Sequence, residues 1–245
     1  MSEGDQPRYT VRLATSDEDI RAAQRLRHKT FLGNDQGLEA DKFDPACHHV
    51  LIECCGQLVA CYRLLHFENG SGIQRSYSAQ YYDLTKLEQF AGAMVEIGRF
   101  CIDPSLNDAD ILRVAWGALT AYVDENNIEM LFGCSSFQGV DQTAYLDAFC
   151  LLKERHLGPD IWRVKAQAPS VVHFDKNLPE TLHFKRAQMQ LPPLLRTYLL
   201  MGGWVSDHAV IDHEMNTLHV FTGLEISAIP AARKRLLRGN AVKIA

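Results

Sequence analysis

The sequence predicts one α/β domain over residues 1–245, and three observations carry that expectation. Segments rich in β-branched and aromatic residues alternate with segments whose apolar residues recur at helical spacing. No repeat, low-complexity tract or linker-like stretch separates them. Residues 93–126, AMVEIGRFCIDPSLNDADILRVAWGALTAYVDEN, read as a strand, a break at Asp103-Pro104-Ser105, and an amphipathic helix capped at Asn107 or Asp108.

The totals bound the function. A hydrophobic share of 47% and a charged share of 22% are those of a soluble globular protein. The formal charge of −5 argues against nucleic acid as a partner. Seven cysteines without a CxxC pair suggest reduced thiols in the cytosol. No signal peptide opens the chain and no apolar run is long enough to span a bilayer. The expected location is cytoplasmic, with any membrane contact made at the surface.

Tyr9 to Ala14 alternates as a strand. Ser16-Asp17-Glu18-Asp19 forms a capping box for a helix over 17–32, which carries Ile20, Ala23, Leu26 and Phe31 and a basic side of Arg21, Arg25, Arg27 and Lys29. A run of this kind is commonly a solvated face. Residues 33–47 form a polar loop with Glu39, Asp41 and Asp44 close together, read either as an exposed loop or as a site for a metal or amine cation. His49–Cys54 and Leu58–His66 form a hairpin turning at Gly56-Gln57, with Arg63 inside the second strand.

Residues 67–82 read as a polar connection and 81–90 as a short helix. A strand over 129–137, a helix over 141–156 and a short strand over 162–166 follow. Prolines and irregular patterning leave 167–192 as loop. An apolar segment over 194–201 ends at Gly202-Gly203, and 209–211 and 218–221 are strands. Pro230 opens a basic helix in which Arg233, Lys234, Arg235 and Arg238 flank Leu236 and Leu237. It reads as a solvated terminal helix or as a contact for an anionic membrane surface.

Two charges stand in the apolar strand of 94–102, Glu96 and Arg99. Positions three apart face opposite ways on a regular strand, so a bulge at Gly98 would be needed to bring them into phase. They read as a structural ion pair or as functional groups. The histidines at 48, 49, 208, 213 and 219 match no zinc spacing, so no metal is expected. GxSxG, GxGxxG and the P-loop are absent. Cys101 and Cys150 lie in apolar settings as packing residues.

Arg27-x-x-x-Phe31, Asp41-x-x-Asp44, Arg63 and Glu96-x-x-Arg99-Phe100, in that order, resemble the pattern of acyl-homoserine-lactone synthases and the related ornithine acyltransferases of ornithine-lipid synthesis. The segment LPPLLRTYLLMGGWVSDHAVIDHEMNTLHVFTGLEI resembles the second family, which makes about 160–245 a family-specific portion. The resemblance covers roughly residues 9 to 239. It implies the GNAT acyltransferase fold, a central mixed sheet flanked by helices. It also implies transfer of a 3-hydroxyacyl group from acyl carrier protein to the α-amino group of L-ornithine, giving lyso-ornithine lipid.

On that resemblance Glu96 would be the base, Arg99 would hold it or anchor the pantetheine arm, and N–H groups near Gly98 would form the oxyanion site. Asp41 and Asp44 would bind the cationic amino acid, and Arg63 would order that loop or pair with the substrate carboxylate, with Arg27, Phe31 and Phe100 beside them. Arg25, Lys29 and Arg113 would meet the acidic carrier and its pantetheine phosphate. Coenzyme A binders of the wider superfamily hold a pyrophosphate on a glycine-rich loop before the helix. Here Asp103 to Asp110 has no glycine and three aspartates, which favours the carrier protein; no bound cofactor is expected. The alternatives are a lactone synthase using S-adenosylmethionine and a non-catalytic module that binds carrier protein or a peripheral inner-membrane surface.

Overall fold

Most of the strand and helix signals become elements with small shifts of boundary in the computed structural model, which describes residues 8–34, 36–176, 178, 182–239, 241–242 and 244. The strand β1 (Tyr9–Leu13) leads into α1 (Asp17–Leu32). Ser16 caps α1 by accepting from the Asp19 N–H, and Gly33 closes it at φ +78°. Next come β2 (His48–Cys54) and β3 (Gln57–Phe67). Their turn is Cys55-Gly56, at φ +51° and +76°, one residue earlier than expected. The helix expected over 81–90 is instead β4 (Tyr82–Asp83) and a 3₁₀ turn at Thr85–Gln89.

After β5 (Ala93–Ile102), Asp108 caps α2 (Ala109–Glu125) by accepting from the Asp110 N–H. Then follow β6 (Ile128–Gln138), α3 (Leu146–Arg155) and β7 (Lys165–Ala166). The stretch read as loop contains β8 (Val171–His173) and α4 (Phe184–Gln190). Their signals are weak for physical reasons: β8 has three residues, and α4 buries only Ala187, so it has no apolar stripe. The chain ends with α5 (Pro193–Leu200), β9 (Trp204–Val205), β10 (His208–Asp212), β11 (Thr217–Glu225) and α6 (Ala231–Gly239).

These elements form two compact units, divided inside β3 and β5. The first holds the described residues within 1–65, 97–127 and 234–245. There β1 runs antiparallel to β2, with Val11 opposite Ile52, and β2 antiparallel to β3, with Leu51 opposite Cys61. The second half of β5 lies beside β3, closed by the Asp103 N–H on the Val59 carbonyl at 2.8 Å. Ala23 and Leu26 of α1 pack on Leu51, Cys61 and Cys101. The buried face of α2 includes Ile111, Trp116, Leu119 and Val123.

The second unit holds 66–96 and the described residues within 128–233. Here β11 pairs antiparallel with β6 over all of Thr217–Glu225, β10 pairs with the start of β11, and β8 with β10. The core under these strands is aromatic. Phe149 of α3 stacks on Phe174 at 5.0 Å and meets the edge of Phe137 at 5.3 Å, among Leu152, Ala187, Leu195 and Val220. Among the described residues no helix is long and apolar enough to cross a membrane.

Phe149 is fully buried, so Phe149→Ala leaves a cavity that two rings cannot close. The expected loss is about 3–5 kcal/mol of unfolding free energy by denaturant titration. A loss below about 1 kcal/mol would mean that this cluster is not the core of its unit.

Candidate active site

In the first unit three arginines meet three carboxylates. Arg27 turns inward from α1 and is 1% exposed. Its Nε donates to Glu39 and its Nη1 to Asp44 at 2.7 Å. Arg63 of β3 donates to both oxygens of Asp41, at 2.6 and 2.7 Å, and to Asp44 at 2.6 Å. Arg99 of β5 donates to Glu39 at 2.9 Å and Asp41 at 3.0 Å. Gln24 adds a bond to the second Asp44 oxygen at 2.9 Å, and the Phe43 N–H one to Asp41 at 2.9 Å. Arg27, Glu39, Asp44 and Arg63 are buried and Asp41 and Arg99 partly so; the formal charges cancel, which is what makes withdrawing these ions from water tolerable.

Burial pushes the Asp44 carboxyl up, but Arg27, Gln24 and Arg63 outweigh it and hold the group well below the usual carboxylate range. The same balance, with Arg63 and Arg99 prevailing over burial, lowers Asp41. His49 sits against the cluster with Nε2 3.0 Å from the Asp44 carbonyl, and burial lowers its pKa.

Two sequence expectations change here. Arg27 does not belong to the solvated basic side of α1. The loop carboxylates are not exposed either: Glu39 and Asp44 are buried, and every oxygen of Glu39, Asp41 and Asp44 already accepts from arginine, glutamine or a backbone N–H.

The irregular residue of β5 is Arg99 itself, at φ +54°. A left-handed non-glycine residue costs about 1–2 kcal/mol, and here its bonds to Glu39 and Asp41 hold it. Gly98, the expected bulge, serves packing: a Cβ there would lie 3.3 Å from Arg63 Nε. Phe100 stacks on Tyr62 at 5.7 Å, and Phe31 packs against the cluster of Leu51, Cys61 and Cys101.

In the second unit Glu96 is 5% exposed. Its Oε2 accepts the Tyr77 N–H at 2.8 Å, and its Oε1 accepts the Ser78 N–H at 2.7 Å and the Ser78 hydroxyl at 2.6 Å. The polar chain continues. The Tyr77 hydroxyl lies 3.2 Å from that of Tyr81, which lies 3.5 Å from Asp212 Oδ2. Sequence reasoning passed over Tyr77, Ser78, Tyr81 and Asp212. Nothing in their spacing relates them to Glu96; the two segments meet only through the fold.

The residues expected to face the donor sit at the surface of the first unit. Arg25 pairs with Glu18 at 2.6 Å, Lys29 with both oxygens of Asp103 at 2.9 Å, and Arg113 with Asp110 at 3.2 Å. At the start of α2 the Asp110 N–H meets the carboxylate of Asp108, which also accepts the Tyr9 hydroxyl at 2.6 Å. Among the described residues no group of three or more His, Cys, Asp or Glu side chains forms a metal site.

Asp44→Asn leaves the buried guanidinium groups in excess, with an expected loss of about 3–5 kcal/mol. The depressed Asp41 and Asp44 bind fewer protons folded than unfolded, so their stabilisation is full above the unfolded value of about 4 and is lost as pH falls below it. Denaturant titration at several pH values should show the wild type weakening below about pH 4, with a shallower fall in Asp44→Asn. Equal stability of the two proteins at pH 7 would mean a solvated cluster.

Residues 11–117 match the acetyltransferase (GNAT) domain family. An L-ornithine N(alpha)-acyltransferase of Rhodobacter capsulatus is 33% identical over 238 residues, covering 90% of this chain and 91% of the relative. One of Brucella abortus is 31% identical, covering 89% and 85%. A solved CoA-dependent acyl-homoserine lactone synthase, BjaI with SAM and isopentyl-CoA, superposes with a TM-score of 0.51 at 11% identity, over 94% of this chain and 88% of that one; the likeness is one of fold. With relatives this similar over nearly all of both sequences, the protein belongs to the L-ornithine N(alpha)-acyltransferase family and is an acyltransferase of the GNAT class.

Proposed function

We propose that this acyltransferase moves a 3-hydroxyacyl group from acyl carrier protein to the α-amino group of L-ornithine, releasing lyso-ornithine lipid. The acceptor follows from the names of its relatives. The observation that carries the mechanism is Glu96, a buried carboxylate held by three donors from Tyr77 and Ser78. A carboxylate fixed in this way is pre-positioned to take the proton that the α-ammonium must lose, directly or through one water. The freed amine attacks the thioester carbonyl, a C–N bond forms, the C–S bond breaks, and the nitrogen's second proton passes to the departing sulfur, so that the pantetheine arm leaves as its thiol.

The donor reading rests on the start of α2. In pyrophosphate binders the free N–H groups of a helix terminus meet the anion. Here Asp108 already occupies that terminus, and Asp103 and Asp110 stand close in sequence. A second pyrophosphate charge is disfavoured, and a carrier arm with one phosphate suits better. The exposed Arg25 and the half-exposed Lys29 and Arg113 offer basic groups to an acidic carrier; their present partners are surface ion pairs, which exchange at little cost. The basic α6, which buries none of its residues, would rest on the inner membrane that receives the product.

Thiol release, followed by product mass, tests this reading. Turnover is expected with ornithine and 3-hydroxyacyl–acyl carrier protein, and little with the same acyl group on coenzyme A. Glu96→Gln should fold and lose about 10²–10⁴ of the turnover. Full activity in that variant would remove Glu96 from the role, and equal use of coenzyme A would overturn the donor.

A further inference from the structure

Among the described residues, Glu39, Asp44, Glu96, Asp147 and Asp212 are the buried carboxylates. Glu39 and Asp44 are matched by the arginines of their cluster, and Asp147 by Arg186. Glu96 accepts from Tyr77 and Ser78. Asp212 differs. It is 6% exposed, and no described Lys, Arg or His pairs with it. Its Oδ1 caps the turn after β10 through the Met215 N–H at 3.0 Å. Its Oδ2 has only the Tyr81 hydroxyl, at 3.5 Å, the outer limit of a hydrogen bond. A carboxylate removed from water and left without a cation is costly, so a buried one of this kind fits a site whose cation arrives with the ligand.

The surroundings suit a primary ammonium. The hydroxyls of Tyr77 and Tyr81, 3.2 Å apart, and Asp212 Oδ2 form a row of three acceptors, and an ammonium has three N–H donors. The rings of Tyr77 and Tyr81, 5.4 Å apart, are only partly buried and add the aromatic surface that cations favour. Tyr77 also joins this row to the proposed base, since its N–H binds Glu96 at 2.8 Å. We propose that Asp212, with the Tyr77 and Tyr81 hydroxyls, holds the side-chain ammonium of the acceptor and so selects a diamino acid over a neutral one. This rests on the reading that the acceptor is a cationic amino acid presented to Glu96. It gives the cation a carboxylate outside the arginine cluster, where every oxygen is already engaged.

The test compares kcat/KM for L-ornithine with that for norvaline, which has the same carbon chain without the terminal amine. The wild type should prefer ornithine. In Asp212→Asn that preference should fall by at least about tenfold, through KM for ornithine more than through kcat. Tyr81→Phe, which keeps the ring and removes one acceptor, should shift it in the same direction and serves if Asp212→Asn fails to fold. An undiminished preference in a folded Asp212→Asn, or in Tyr81→Phe where the first does not fold, would overturn the assignment and leave the ornithine reading intact. A wild type that treats ornithine and norvaline alike would instead overturn the ornithine reading itself, and the assignment with it.

Discussion

Charge balance among six ionised side chains, four of them buried and two partly so, is the constraint on which the first unit depends. Arg27, Arg63 and Arg99 come from a helix and two strands, while Glu39, Asp41 and Asp44 come from one loop. Each carboxylate bonds two arginines and each arginine bonds two carboxylates. None can be removed without leaving an opposite charge uncompensated in a dry place, and the cost of that exceeds the worth of any one contact. Several local oddities follow from it. Arg99 accepts a left-handed backbone to reach its partners, Gly98 lacks a side chain where Arg63 passes, and Gln24 is buried in α1 to satisfy the last oxygen of Asp44.

The second unit presents a different kind of polarity. Glu96 accepts from the N–H groups of Tyr77 and Ser78 and from the Ser78 hydroxyl, and the Tyr77 and Tyr81 hydroxyls lead on to Asp212. A closed, neutral cluster rigidifies. On the proposed reading, the hydroxyl and carboxylate acceptors of the second unit would receive a ligand that brings its own positive charge. The two networks share β5, in which Glu96 and Arg99 are three residues apart, so one strand carries both the scaffold and the proposed chemistry.

Much of this was legible in the sequence where the signal is local. Ser16 and Asp108 announced the two helix starts, and β-branched runs gave the long strands. Arg63, Glu96 and Arg99 stood out as charges inside strands, while Arg27, Asp41 and Asp44 were picked out by the resemblance of their spacing to a family pattern. Their partners did not, because a spacing shows which face a residue takes and not what waits there. Arg27 looked like one more cation on a basic helix; only the packing of α1 shows that its turn of the helix faces inward. Asp41 and Asp44 looked open to a ligand because the three arginines that engage them come from distant stretches of the chain. Ser78 and Asp212 gave no signal, one in a polar connection and the other at a hairpin end, where serine and aspartate are ordinary. The short β8 and the polar α4 were missed because neither displays a periodic apolar face.

The central claim is that the arginine cluster is a closed scaffold and that the acceptor's charge is met elsewhere. A crystal structure with bound L-ornithine tests it most directly. The account predicts the terminal nitrogen of ornithine within hydrogen-bond distance of Asp212, and all contacts of Arg27, Arg63 and Arg99 to Glu39, Asp41 and Asp44 kept. Ornithine seated with a nitrogen on Asp41 or Asp44, and an arginine displaced to make room, would contradict it.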